Sequence, residues 1–112
     1  SAFKTALMIG DYHKVIFVDA IKKGKKAGHV YRIRLDKDKF ISGPSLNSFV
    51  FSFHESNLDN ILTTANLLDK YPGNVVLIGC EPGDTSTGLG LSKEVKKSVN
   101  RIIDLIFLEI QS

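Results

Sequence analysis

Apolar residues in this chain fall into short unbroken runs, separated by stretches with helical spacing. Val15-Ile16-Phe17-Val18 and Val75-Val76-Leu77-Ile78 are continuous and mostly β-branched. Runs of that kind suit strands buried on both faces, as in a parallel sheet covered by helices. Between them, His29 to Leu35 mixes Val30, Ile33 and Leu35 with Arg32 and Arg34, the pattern of an edge strand with one wet side. Phe49 to Phe53 resumes an apolar run and reads as a further strand. Helical spacing is found first over Ala2 to Ile9, with Phe3, Ala6, Leu7 and Met8 as its apolar face and Gly10 as a left-handed stop. It recurs at Leu58, Ile61, Leu62, Ala65 and Leu68, after Ser56 or Asn57 as cap and with Asp59 in the first turn. Tyr71-Pro72-Gly73 ends that helix. The clearest helix starts at the N-cap Ser92, with Glu94 in its first turn and a stripe of Val95, Val99, Ile102, Ile106 and Ile110.

Strands that alternate with helices in this way predict an α/β fold. The expected arrangement is a mostly parallel twisted sheet with helices packed on both faces, a three-layer sandwich. Residues 1–112 form one such domain. The chain opens inside a helix, with no strand or cap ahead of it. A small α/β sandwich usually begins with a strand and a helix, so the expectation is that an N-terminal strand-helix-strand of roughly 30 or more residues lies outside this sequence.

Composition narrows the function classes. With 43% apolar and 24% charged residues the chain is globular and not disordered. No apolar run approaches the roughly 20 residues of a membrane span, and no signal segment opens the chain. A single cysteine, Cys80, excludes an internal disulfide and fits a reducing, cytoplasmic setting. A net charge of +3 is too small to imply nucleic acid. The lysines at 22, 23, 25 and 26 form a solvated loop that could also guide an acidic partner.

Two residues carry the candidate chemistry. Asp19 closes the run Val15 to Val18, and His54 follows Val50-Phe51-Ser52-Phe53. Ligands of open α/β sheets gather outside the carboxyl ends of the strands, so two strands that each end on a metal-capable side chain suggest a shared site. An aspartate there either caps the next turn or acts as a metal-ligand or general-base carboxylate. A lone histidine is either a hydrogen-bonded structural residue or a ligand. Two ligands fall short of the three or four that metal sites use. His13 and His29 are expected at the surface; Cys80 is either a buried thiol, the reading preferred, or a nucleophile with His54; Glu55 and Glu81 either approach the site from loops or, the reading preferred, are solvated. The segment Gly83 to Gly90 has phosphate-loop spacing, but Leu89 stands where that motif needs lysine.

The motifs in sequence order resemble a known family. Val15-Ile16-Phe17-Val18-Asp19-Ala20, Gly24 and Ala27-Gly28-His29-Val30-Tyr31-Arg32 resemble the "VDA…G…PGTVYR" segment of the hydrogenase maturation endopeptidases. Ser52 to Leu58 is similar to their "S-x-H-x-x-x-L" segment. Val76 to Pro82 and Gly88 to Val95 are similar to their "IG-x-x-P" and "GLS-x-x-V" blocks. The resemblance covers nearly the whole chain. It implies a phosphorylase/hydrolase-like fold and an endopeptidase that removes the C-terminal extension of a nickel–iron hydrogenase large subunit after nickel insertion. It implies that Asp19 and His54 are the catalytic and metal-binding residues, and that the nickel is carried by the substrate. The cleavage would be aspartic-type or metal-assisted. The implied partner is the hydrogenase large-subunit precursor, with no nucleic acid and no membrane, and the protein a monomer. The family's third metal-binding carboxylate lies in a segment resembling "GN-x-L-x-x-D-x-G", which this sequence lacks. Ala27 replaces the usual proline, and Cys80 a common apolar residue. The alternative from another class is a non-catalytic module that holds a metal centre or peptide tail. A flavodoxin-like phosphoacceptor lacks the acidic cluster it would need.

Overall fold

A computed structural model describes residues 1–42, 58–83 and 92–112. The described elements are α1 (Ala2–Ile9), β1 (Lys14–Ala20), β2 (Val30–Arg34), α2 (Lys37–Ser42), α3 (Leu58–Leu67), β3 (Asn74–Cys80) and α4 (Lys93–Gln111). The strand expected at Phe49 to Phe53, His54, and most of the glycine-rich segment lie outside the described residues.

The three described strands form one sheet in the order β1-β3-β2. Asn74 N–H donates to His13 O and Ile21 N–H to Cys80 O, so β1 and β3 run parallel. Leu35 N–H donates to Val75 O and Glu81 N–H to His29 O, so β3 and β2 run antiparallel. The described sheet is therefore mixed, where a mostly parallel one was expected. The reason is the connection after β1. Residues 21–29 contain no helix, and a parallel crossover needs a dozen or more residues. The chain therefore turns back. β2 lies at a sheet edge with the alternating burial predicted for it, and Val75 to Ile78 of β3 are wholly buried, also as predicted. In β1, by contrast, Val15 to Phe17 are only half-buried and Val18 is 54% exposed.

The chain divides into two units, residues 1–15 with 34–76 and residues 16–33 with 77–112. In the first unit α1 packs on α3. α1 is capped after all: Ser1 Oγ accepts the N–H of Lys4 at 3.3 Å. Its inward residues are Ala6 and Ile9, while Phe3, Leu7 and Met8, which the pattern had placed on the apolar face, are exposed. Gly10 ends the helix in right-handed geometry, φ −64°, and not in the left-handed form expected. Its use is space, because a Cβ would stand 2.6 Å from Lys70 Cβ. From α3, Leu58, Leu62 and Ala65 enter the core as their spacing predicted. The helix closes with Asp69 at φ 56°, Lys70 N–H bonded to Ala65 O and Asp69 N–H to Asn66 O, a Schellman motif with aspartate in the left-handed position. The short α2 was not foreseen. It exists to bury Phe40, whose ring lies 5.8 Å from that of Tyr71. The Tyr71 hydroxyl donates to Leu35 O at 2.5 Å, and burial, with the charge of Asp36, raises its pKa.

In the second unit Ile21, Leu77 and Ile78 are wholly buried. α4 starts at Ser92, whose Oγ accepts Val95 N–H at 3.3 Å. Val95, Val99, Ile102 and Ile106 face inward in part, as the stripe predicted, but Ile110 is 64% exposed. Glu109 is buried in its place, its carboxylate paired with Arg32 Nε. That contact and the partner's charge hold the Arg32 guanidinium above its ordinary value, against the effect of burial.

Candidate functional site

β1 and β3 run parallel, so their carboxyl ends lie together, and the second unit has a cavity of about 460 Å³ there. Val18 and Ala20 of β1, Cys80 and Pro82 at the end of β3, and Val95 and Val99 of α4 form most of its wall. Asp19 also lines it and is its carboxylate among the described residues. The local geometry of Asp19 follows from its position at the strand end. It is half-buried, and its Oδ1 accepts the N–H of the next residue, Ala20, at 2.8 Å. A carboxylate on the rim of an apolar cleft can orient water, take up a proton or bind a cation. Cys80 is a buried free thiol on the same wall, as expected. His13 and His29 are exposed, also as expected. His54 lies outside the described residues. Among the described residues no group of three or more His, Cys, Asp or Glu could hold a metal ion.

Sequence reasoning missed the role of Glu81. It was read as solvated, yet it is 6% exposed. Its Oε1 accepts the N–H groups of Lys23 and Lys25, each at 3.0 Å, and the Tyr31 hydroxyl at 2.7 Å. Its backbone exchanges bonds with the same loop, through Gly28 N–H to Glu81 O and Glu81 N–H to His29 O. Burial pushes the Glu81 carboxyl up, but the bonds from Tyr31, Lys23 and Lys25 and the charge of His29 outweigh it and leave the group below its ordinary value. Burial, then the bond and charge of Glu81 and the charge of Cys80, push Tyr31 up to about 12. Gly28 completes the clasp at φ +88°, where a Cβ would stand 2.7 Å from Glu94 O. The lysine loop is thus pinned to the end of β3, next to the cleft residues Cys80 and Pro82. One signal was present: a glutamate directly after a fully apolar strand begins inside the protein.

The family model described as HycI, hydrogenase maturation protease, matches residues 1–109. The chain belongs to the hydrogenase maturation protease family. Within that family it is 30% identical over 93 residues to the hydrogenase expression/formation protein HupD of Bradyrhizobium diazoefficiens, covering 82% of this chain and 46% of HupD. The chain thus spans about half the length of that curated relative. A hydrogenase 2 maturation peptidase from Thaumarchaeota archaeon SCGC_AB-539-E09 is 28% identical, with a TM-score of 0.64 over 92% of this chain and 68% of that one. The fold is also that of the maturating endopeptidase HybD from E. coli, with a TM-score of 0.78 at 19% identity over 99% of this chain and 66% of HybD. The family match covers β1 with Asp19, β3 with Cys80 and most of α4, the elements that build the cleft. Among the described residues, no helix of this family member is long and apolar enough to cross a membrane.

Proposed function

We propose that this chain is part of an endopeptidase that removes the C-terminal extension from the large-subunit precursor of a nickel–iron hydrogenase once nickel is in place. The observation that supports it most is the family match over residues 1–109, together with a half-buried carboxylate on an apolar cleft at the ends of two parallel strands. The extension would lie in that cleft, with apolar side chains against Val95 and Val99. Nickel enters as part of the substrate, and carboxylate and imidazole are donors that suit it. Asp19 and His54 would grip the nickel and so fix which peptide bond is presented. The Asp19 carboxylate would then orient and deprotonate the attacking water as a general base. Two ligands make an incomplete set, and the resemblance assigns a third carboxylate to a segment that residues 1–112 do not contain. The fold proposed for the whole protein is a three-layer sandwich with helices on both faces of a mostly parallel sheet, working as a cytoplasmic monomer.

The test is precursor cleavage by the longer protein, followed as a shift in mobility of the large subunit. Asp19→Asn and His54→Ala should each abolish the shift and leave the urea unfolding midpoint within error of the parent. Normal processing by both variants would overturn the site. Precursor captured tightly but never cut by the parent protein would favour the non-catalytic module.

A further inference from the structure

The chain's charge is unevenly placed. Residues 16–33 and 77–112 hold nine Lys and Arg against six Asp and Glu, while residues 1–15 and 34–76 hold six of each. The whole net charge of +3 therefore belongs to the second unit. Two of that unit's six acids face inward. Glu81 is taken up by the loop N–H groups and Tyr31, and Glu109 by Arg32. Apart from Arg32, which pairs with Glu109, the bases lie at the surface. Lys22, Lys23, Lys25 and Lys26 are all exposed, as are Lys93, Lys96, Lys97 and Arg101 on the first half of α4.

The loop is tied to that helix, and on a helical wheel Lys97 and Arg101 are the α4 bases on the side of the tie. Ser98 Oγ donates to Gly28 O at 2.5 Å, and Gly28 lies so close to Glu94 O that no Cβ would fit. A loop with no task but solubility needs no such fixing. Here a buried carboxylate, a residue type that rarely goes inside unless paired, serves to hold the backbone of Lys23 and Lys25. The lysines are thus displayed from a preformed frame, and a partner meets them without the cost of ordering the loop.

We propose that the Lys22–Lys26 loop, with Lys97 and Arg101 of α4, forms a docking surface for an acidic stretch of the protein substrate, beside the cleft at Asp19. The inference rests on the endopeptidase reading above. An acidic polypeptide is favoured over nucleic acid because His29, the exposed ring beside the loop among the described residues, packs edge-on against Tyr31 at 4.7 Å and offers no continuous stacking platform. Tyr31 itself is half-buried and engaged with Glu81.

The experiment uses the whole protein and its precursor, with the variant K25E/K26E/K97E/R101E. Affinity for the precursor is measured by interferometry at low and high salt, and KM and kcat are measured for the precursor and for a short peptide spanning the cleavage site. Charge reversal should weaken precursor affinity about tenfold at low salt and abolish its salt dependence, with kcat and the short-peptide KM unchanged. Because affinity is read without turnover, the surface is tested even if the protein cuts nothing. Unaltered affinity in a variant whose circular dichroism matches the parent overturns the proposal. The variant K25Q/K26Q/K97Q/R101Q, with an expected intermediate effect, serves the same comparison if charge reversal impairs folding. A parent protein that binds oligothymidylate more tightly than an oligoglutamate of equal charge also overturns it, in favour of nucleic acid.

Discussion

Removing the Glu81 carboxylate should unfasten the lysine loop from the sheet. Its Oε1 receives three hydrogen bonds, two from backbone N–H groups and one from Tyr31. Bonds to a charged acceptor contribute about 1.5–3 kcal/mol each when both partners are dry. All three bonds are only part-buried, so each is counted at about 1 kcal/mol here. Glu81→Ala should therefore cost about 3 kcal/mol, and Glu81→Gln, which keeps an acceptor but loses the charge, about half that. The assay is urea unfolding, read as a fall in midpoint at constant slope. The pH dependence has a definite sign. Glu81 lies below its ordinary value in the folded state, so its stabilisation is complete above the usual carboxylate range and is lost as pH falls through the folded value. The gap between parent and Glu81→Gln should narrow on acidification. A midpoint unchanged in both variants at neutral pH, or a gap that widens in acid, would refute the reasoning.

Two further substitutions test the packing within each unit. Gly28→Ala adds a methyl group at φ +88° and 2.7 Å from a helix carbonyl, and should lower stability by at least about 2 kcal/mol, measured by thermal unfolding. Leu62→Ala removes a wholly buried side chain from the contact of α3 with the core and should cost about 2–5 kcal/mol in urea.

Legibility differed by element for physical reasons. β3, α3 and α4 were read correctly because burial leaves a regular trace, an unbroken apolar run or a repeat of three and four. The short α2 carries too few residues to show a period, and its single buried side chain, Phe40, has meaning only against Tyr71. The apolar face of α1 was misjudged, since Phe3, Leu7 and Met8 satisfy a helical period as well as Ala6 and Ile9 do. Asp19 was legible as a strand-end acid, and it does line the cavity. Glu81 and Glu109 were not, because an acid's burial depends on partners 50 and 77 residues away, Tyr31 and Arg32.

The sequence alone determined what local patterns can encode: the α/β alternation, the helix with Asp59 in its first turn and the one capped by Ser92, the buried strand Val75 to Ile78, and the family. Tertiary structure decided the rest. The short link after β1 turned β2 antiparallel, and packing put Ile110 in water and Glu109 inside. It also made a clasp of Glu81 and the lysine loop. Each of these turns on which distant group meets a side chain, and the spacing of residues along a chain does not record that.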